Sequence, residues 1–202
     1  MRSFIGNQFR KPSGLAGRIT SFLMKKGNRP AYDKIIPKME IKNGDKILEI
    51  GYGHGLGIDM ICKNNDCSVT GIDFSELMFK ESKSRNRKHI ENNRLVLHHG
   101  DYLDFNYPRK SFDKIFFINV IYFWNDLEKP FKKINEELKQ NGKLYIYMAD
   151  RDDLIKMKFT LDGIFNKYTI DQVSKELKRT GFDSIDYEFA DGYCITCGTQ
   201  KS

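Results

Sequence analysis

Between residues 46 and 149 two rhythms of apolar residues alternate along the chain. Short, nearly continuous apolar runs give way to longer stretches in which apolar side chains recur every three or four positions. The first pattern suits strands buried on both faces, the second suits helices that pack by one side. Strands are expected at Lys46–Ile50, Cys67–Asp73, Arg94–His99, Phe112–Asn119 and Lys143–Ala149. Helices are expected over about 56–64, from Glu76 behind a Ser75 cap to about Asn93, and over Asp126–Gln140. In the last of these Pro130 must fall in the first turn or bend the axis, and Asn141-Gly142 marks the stop. Such alternation predicts an α/β, Rossmann-like, doubly wound and mostly parallel sheet.

The two ends follow other patterns. Thr169–Thr180 reads as a capped helix stopped by Gly181. Phe182–Ala190 and Tyr193–Thr199 flank Asp191-Gly192 and predict an antiparallel hairpin, which brings the sheet to seven strands. At the other end residues 1–13 are expected to be poorly ordered. Leu15, Ile19, Phe22, Leu23 and Met24 form a helical stripe ended by Gly27-Asn28, and Pro30–Met39 is a second helix with Tyr32, Ile35, Ile36 and Met39 inward. Asn43-Gly44-Asp45 is a turn into the first strand. The expected organisation is an N-terminal helical arm or lid over 1–42 and one domain over 43–202.

Charge changes this picture at one place. Of the 34 Lys/Arg and 27 Asp/Glu, residues 1–42 hold ten bases and two acids, leaving 24 against 25 in the rest. The domain is therefore neutral and the basic character belongs to the arm. That argues against a broadly nucleic-acid-binding surface, while leaving an anionic partner or peripheral membrane contact open for the arm. No apolar run approaches the ~20 residues that span a bilayer, and Met1–Asn7 lacks the apolar core of a signal peptide. A cytoplasmic protein is expected. Cys194-Ile195-Thr196-Cys197 has zinc-ligand spacing with Cys62 and Cys67 as conceivable partners. Residues three apart on a strand point to opposite faces, however, so buried free thiols are the preferred reading and no metal is expected.

The candidate chemistry sits where the first strand ends. Glu49 is followed by glycine at 51, 53, 55 and 57, then by the apolar start of a helix. Glycine allows a sharp turn and a close backbone approach to a ligand. The dinucleotide spacing Gly-x-Gly-x-x-Gly fits neither register, since its last position falls on Leu56 or Ile58. In an open parallel sheet, ligands bind beyond the carboxyl ends of the strands. Glu49–Gly55 (with Tyr52 and His54), Asp73-Phe74, Gly100-Asp101-Tyr102 and Asn119–Tyr122 should therefore converge. Asp73, 22 residues beyond Gly51, can accept both hydroxyl hydrogens of a ribose. Asp101 offers an acceptor for an exocyclic adenine amine. Phe74 and Tyr102 either sandwich the base or serve as core aromatics.

The run Glu49-x-Gly51-x-Gly53-x-Gly55 resembles motif I of the class I S-adenosylmethionine-dependent methyltransferases, and Phe112–Trp124 resembles their motif IV and the loop after it. The likeness extends over about residues 10–200 and points to a type-11-like bacterial branch thought to act on small molecules or lipids. It implies S-adenosylmethionine as cofactor, with Asp73 on the ribose, Asp101 on the adenine, and Gly51, Gly53 and Gly55 close to its methionine and ribose portion. It further implies that Glu49 orients the loop and that the main chain near Asn119 and Val120 meets the methionine moiety. Asn119-Val120-Ile121-Tyr122 lacks the prolines of the amino-methylating nucleic-acid branches, so a clamp for a planar base is not expected. Tyr122, or His54, is nearest the expected transfer side if a general base is used. The loop Tyr122–Trp124, with Met24 of the arm, suggests a lid over an apolar acceptor. Competing readings are a non-catalytic cofactor-binding module and an RNA methyltransferase recruited by the arm.

Overall fold

The computed structural model describes residues 28–157, 160, 165–189 and 191–199. The expected disorder over 1–13, the stripe at 15–24 and the lid role of Met24 lie outside these residues. A helix over residues 28–38 (α1) is followed by β1 (Lys46–Ile50), α2 (Leu56–Asn64), β2 (Ser68–Asp73), α3 (Glu76–Arg85), α4 (Arg87–Glu91) and β3 (Leu95–His99). Then come β4 (Phe112–Ile118), α5 (Glu128–Glu137), β5 (Leu138–Met148), α6 (Arg151–Lys156), α7 (Ile170–Arg179), β6 (Phe182–Phe189) and β7 (Tyr193–Thr199). The sheet order is β3-β2-β1-β4-β5-β7-β6, with β7 antiparallel to both of its neighbours. β1 pairs in parallel with β2 on one side and β4 on the other, so the order reverses there and a crevice opens beyond the strand ends.

Helices cover both faces, which is why the strands are apolar at successive positions rather than at alternate ones. Ile47, Phe116, Tyr145 and Cys194 pack on one face with Tyr32, Ile35 and Met39 of α1 and Ile58 and Ile61 of α2. Their neighbours Leu48, Phe117, Ile146 and Ile195 pack on the other with Phe131 and Ile134 of α5 and Val173 and Leu177 of α7. Fully burying one such side chain stabilises the fold by roughly 1.5–3 kcal/mol. Cys194 and Cys197 fall in opposite cores, and all four thiols are free and buried. Among the described residues no group of three metal-ligating side chains is arranged to hold an ion, and no helix is long and apolar enough to cross a membrane.

Two expected boundaries are corrected. The helix from Glu76 stops at Arg85, because Asn86 leaves the helical region (φ −101°, ψ 18°) and turns its buried side chain onto Gly55. The helix expected to Gln140 ends at Glu137. Leu138 continues the apolar period of Ile134, but it already pairs with Phe112 in β5. Asn141, at φ 63°, sits in an irregularity inside that strand, between the Phe112–Leu138 and Lys114–Lys143 pairs. Pro130 occupies the first turn of α5. Thr169 caps α7 in a reciprocal box with Gln172, and Asp191 and Gly192 turn the hairpin with both φ positive (52° and 138°).

Candidate active site

Beyond the carboxyl ends of β1, β2, β4 and β5 lies a cavity of about 430 Å³. Gly51, Gly53, His54, Asp73, Phe74, Gly100, Asp101, Tyr102, Asn119, Val120 and Tyr122 all line it. Glu49, Tyr52 and Gly55 do not. Its lining combines two kinds of surface: the glycine bend with Asp73, Asp101 and Asp191, and the apolar side chains of Phe123, Trp124, Leu154, Met157 and Phe165.

The glycine bend is held from every side. Gly51 donates its N–H to Ile72 O (2.8 Å) and Gly55 to Tyr52 O (2.9 Å). Gly51 has φ 71°, and an added Cβ would stand 2.4 Å from Val120 Cγ2, so only glycine brings the β1 and β4 ends this close. Asp73 Oδ2 accepts from Gly53 N (2.8 Å) and its Oδ1 from Ser75 N (2.9 Å). Arg85 Nε donates to His54 O (3.1 Å) and Asn86 Nδ2 to Gly55 O (3.1 Å). His54 is buried within the bend and its main chain is part of this anchoring.

The three predicted residues outside the cavity have other work. The Tyr52 ring lies beneath Gly71, and its hydroxyl donates to His98 O (3.0 Å), fastening the bend to β3. Gly55 is left-handed at φ 76°, and a Cβ there would run into Ser82 Oγ and Asn86 Nδ2, so its need for glycine comes from packing against α3. Glu49 is 1 % exposed and accepts the Tyr32 hydroxyl on Oε1 at 2.9 Å. Gly57 belongs to the same cluster: a Cβ there would meet the Tyr32 ring at 2.3 Å and Glu49 Oε1 at 3.0 Å.

Burial governs the two internal acids. It pushes Glu49 up to about 8, with the nearby Asp73 charge adding to the rise and the Tyr32 hydroxyl and Ile58 amide opposing it. It also pushes Asp73 up to about 6, against the amides of Ser75 and Gly53 and the charge of His99. Asp101 is exposed, and its Oδ1 accepts from Leu103 N (2.9 Å). Tyr102 is buried, donating its hydroxyl to Glu137 Oε2 at 2.7 Å, while its ring still reaches the cavity; Phe74 is half-buried.

Asn119 adopts φ 57° at the end of β4. Its Nδ2 donates to Asn28 Oδ1 (3.0 Å) and its Oδ1 accepts the Tyr122 hydroxyl (2.9 Å). The Tyr122 oxygen in turn accepts the Ala149 N–H. Burial raises the Tyr122 phenol well above its ordinary value. With its proton given to Asn119 and its oxygen accepting from Ala149, the Tyr122 phenol bridges the ends of β4 and β5.

Sequence reasoning did not place several of the lining residues. Tyr32 and Asn28 come from α1, Tyr147 and Ala149 from β5 and the residue after it, Leu154 and Met157 from α6 and just beyond it, and Phe165 from the segment before α7. The Tyr122–Trp124 signal was present. Residues 150–168 carried no periodic pattern that placed them.

A family model described as a methyltransferase domain matches residues 48–146. An uncharacterized methyltransferase of Bacillus subtilis, YdaC, is 30% identical over 172 residues, covering 85% of this chain and 90% of that protein. A sterol 24-C-methyltransferase of Debaryomyces hansenii is 28% identical over 162 residues, 75% of this chain but only 43% of that protein, so the chain spans less than half of that relative. Among solved structures, a phosphoethanolamine N-methyltransferase of Haemonchus contortus, in complex with phosphomonomethylethanolamine and S-adenosylhomocysteine, superposes with a TM-score of 0.71 at 18% identity. That match covers 86% of this chain and 53% of the other. The chain is a member of the class I S-adenosylmethionine-dependent methyltransferases, an enzyme whose cofactor is S-adenosylmethionine.

Proposed function

We propose that the acceptor is a small, largely apolar molecule or lipid held against Phe123, Trp124, Leu154, Met157 and Phe165. The observation that carries this reading is the apolar cluster of Phe123, Trp124, Leu154, Met157 and Phe165 in the lining of the same cavity that the glycine bend and Asp73 border. The donor set fits the cofactor. Asp73, fixed by two backbone amides, has lone pairs for the ribose hydroxyls, and Asp101 has one free to face the adenine amine. Gly51 and Gly53 remove side chains from the wall beside them, and the main chain at Asn119 and Val120 borders the next stretch. Glu49 acts behind the bend, through Tyr32 and Gly57.

When bound, S-adenosylmethionine supplies an electrophilic methyl group. This chain's residues align the acceptor with it and keep water out. Alignment of that kind can supply about 7–11 kcal/mol of the barrier. The aromatic wall excludes water from the acceptor. With Tyr122 serving as a strut, in-line displacement relies on placement rather than on a strong base. The likeness to a sterol 24-C-methyltransferase favours the same acceptor class.

The test is incubation with cofactor carrying a tritiated methyl group and, in separate arms, a total lipid extract, an aqueous metabolite extract and RNA. Label recovered in the organic phase of the lipid arm is the expected result. Label in RNA alone would replace this reading with the arm-recruited alternative.

A further inference from the structure

We infer that Phe165, pinned by Asn166, is the wall that sets the size of the acceptor chamber. The inference rests on the apolar-acceptor reading above and deepens it. Phe165 is 7 % exposed and lines the cavity, with its ring centroid 5.1 Å from that of Phe123 and 6.2 Å from that of Tyr122. It comes from the connection before α7, so no sheet register fixes its place.

Asn166 does the fixing. Its backbone N–H donates to Tyr122 O at 2.8 Å. Its Nδ2 donates to Tyr122 O at 3.1 Å and to Trp124 O at 2.9 Å. Two positions on, the Tyr168 hydroxyl donates to Trp124 O at 2.7 Å. Tyr122 and Trp124 flank Phe123, the residue on which Phe165 packs. The staple therefore brackets the ring contact and ties the wall to the loop after β4. A connection needing only closure would satisfy these carbonyls without carrying an aromatic ring into the cavity. Asn166 touches no reacting atom in this arrangement; it is a positioning residue, and Phe165 is the specificity-determining one.

Trp124 is the only tryptophan in the chain and lines the same chamber, which supplies a direct readout. The probe is N-phenyl-1-naphthylamine, a neutral aromatic amine that accepts energy from tryptophan. Cofactor affinity is measured in parallel by calorimetry with S-adenosylmethionine. The wild-type chain should bind the probe saturably. In Asn166→Ala and in Phe165→Ala the probe should bind roughly tenfold more weakly, as a missing apolar wall predicts. Cofactor affinity should stay within about twofold, since the staple contacts none of the glycine-bend residues. Asn166→Ala should also shift Trp124 emission to longer wavelength, because its carbonyl loses a donor and the indole gains water.

Unchanged probe affinity in both variants overturns the inference. So does a parallel loss of probe and cofactor affinity, which would mark a general structural role. A wild-type chain that binds no probe removes the apolar-acceptor reading itself, and this inference with it. Should the alanine variants fail to fold, Phe165→Leu keeps an apolar side chain and decides: weaker probe binding with intact cofactor binding supports the inference, and an unchanged probe affinity ends it.

Discussion

The Tyr32 hydroxyl stands 2.9 Å from Glu49 Oε1, and both residues are shut away from water. A buried carboxyl held near 8 binds its proton more tightly in the native chain than in the unfolded one, where the ordinary value is 4.5. Its contribution to stability is complete below ~4.5 and is lost as pH rises through about 8. Asp73, raised to about 6, acts in the same direction over a lower window.

Glu49→Gln keeps an acceptor for Tyr32 and removes the titration. The thermal midpoint of the variant should therefore fall less than that of the wild type between pH 6 and 9. At 1.36 kcal/mol per unit the full Glu49 shift corresponds to at most about 5 kcal/mol. Parallel midpoint curves for the two proteins would show that Glu49 is already ionised in the native state.

Gly57 and Tyr32 should be energetically coupled. In an open helix Gly→Ala gains about 1 kcal/mol. Here the added Cβ would meet the Tyr32 ring at 2.3 Å, so Gly57→Ala should destabilise by roughly 1–3 kcal/mol, the range for overpacking. In a Tyr32→Ala background the same substitution should be neutral or stabilising. Denaturant titrations of the four proteins measure this, and additive effects would mean that the ring moves aside at no cost.

Tyr122→Phe discriminates a strut from a base. Losing the hydrogen bonds to Asn119 and from Ala149 should cost about 1–3 kcal/mol of stability. Label transfer into the acceptor identified by the extract experiment should then fall less than tenfold. A general base would be worth about 10²–10⁴-fold. A drop of that size in a folded, cofactor-binding variant would restore the catalytic assignment.

The four thiols should stay silent in the native chain. Burial pushes Cys62 up to about 12 and Cys194 up to about 11, and raises Cys67 and Cys197 as well. Thiolate is the reactive form, so a disulfide reagent should find no fast-reacting group until denaturant is added, and then four. A fast native thiol would mean that one of these segments opens readily.

The sheet was largely legible because its strands are short apolar runs with a two-residue alternation between two cores. Ile47 with Leu48 and Phe116 with Phe117 could only be central strands. The carboxylates at β2 and after β3 were legible too, since strand ends converge in any sheet of this order. What escaped was set by contacts distant along the chain. Gly55 and Gly57 look like ligand glycines in sequence, yet their neighbours are Asn86 and Tyr32, 31 and 25 residues away. The break at Asn86 was hidden for the same reason: its polar side chain looks solvated until Gly55 O is seen to need it. Leu154, Met157 and Phe165 share no period, so nothing local announced a cavity wall.

The Asn86 contact has a consequence for affinity. Together with Asp73, Arg85 and Tyr52 it ties the glycine bend down by hydrogen bonds from within the chain itself. Ordering a free loop costs roughly 1–2 kcal/mol per residue. A bend settled when the chain folds leaves that penalty out of the binding step, so more of the adenosyl contact energy is expressed as affinity.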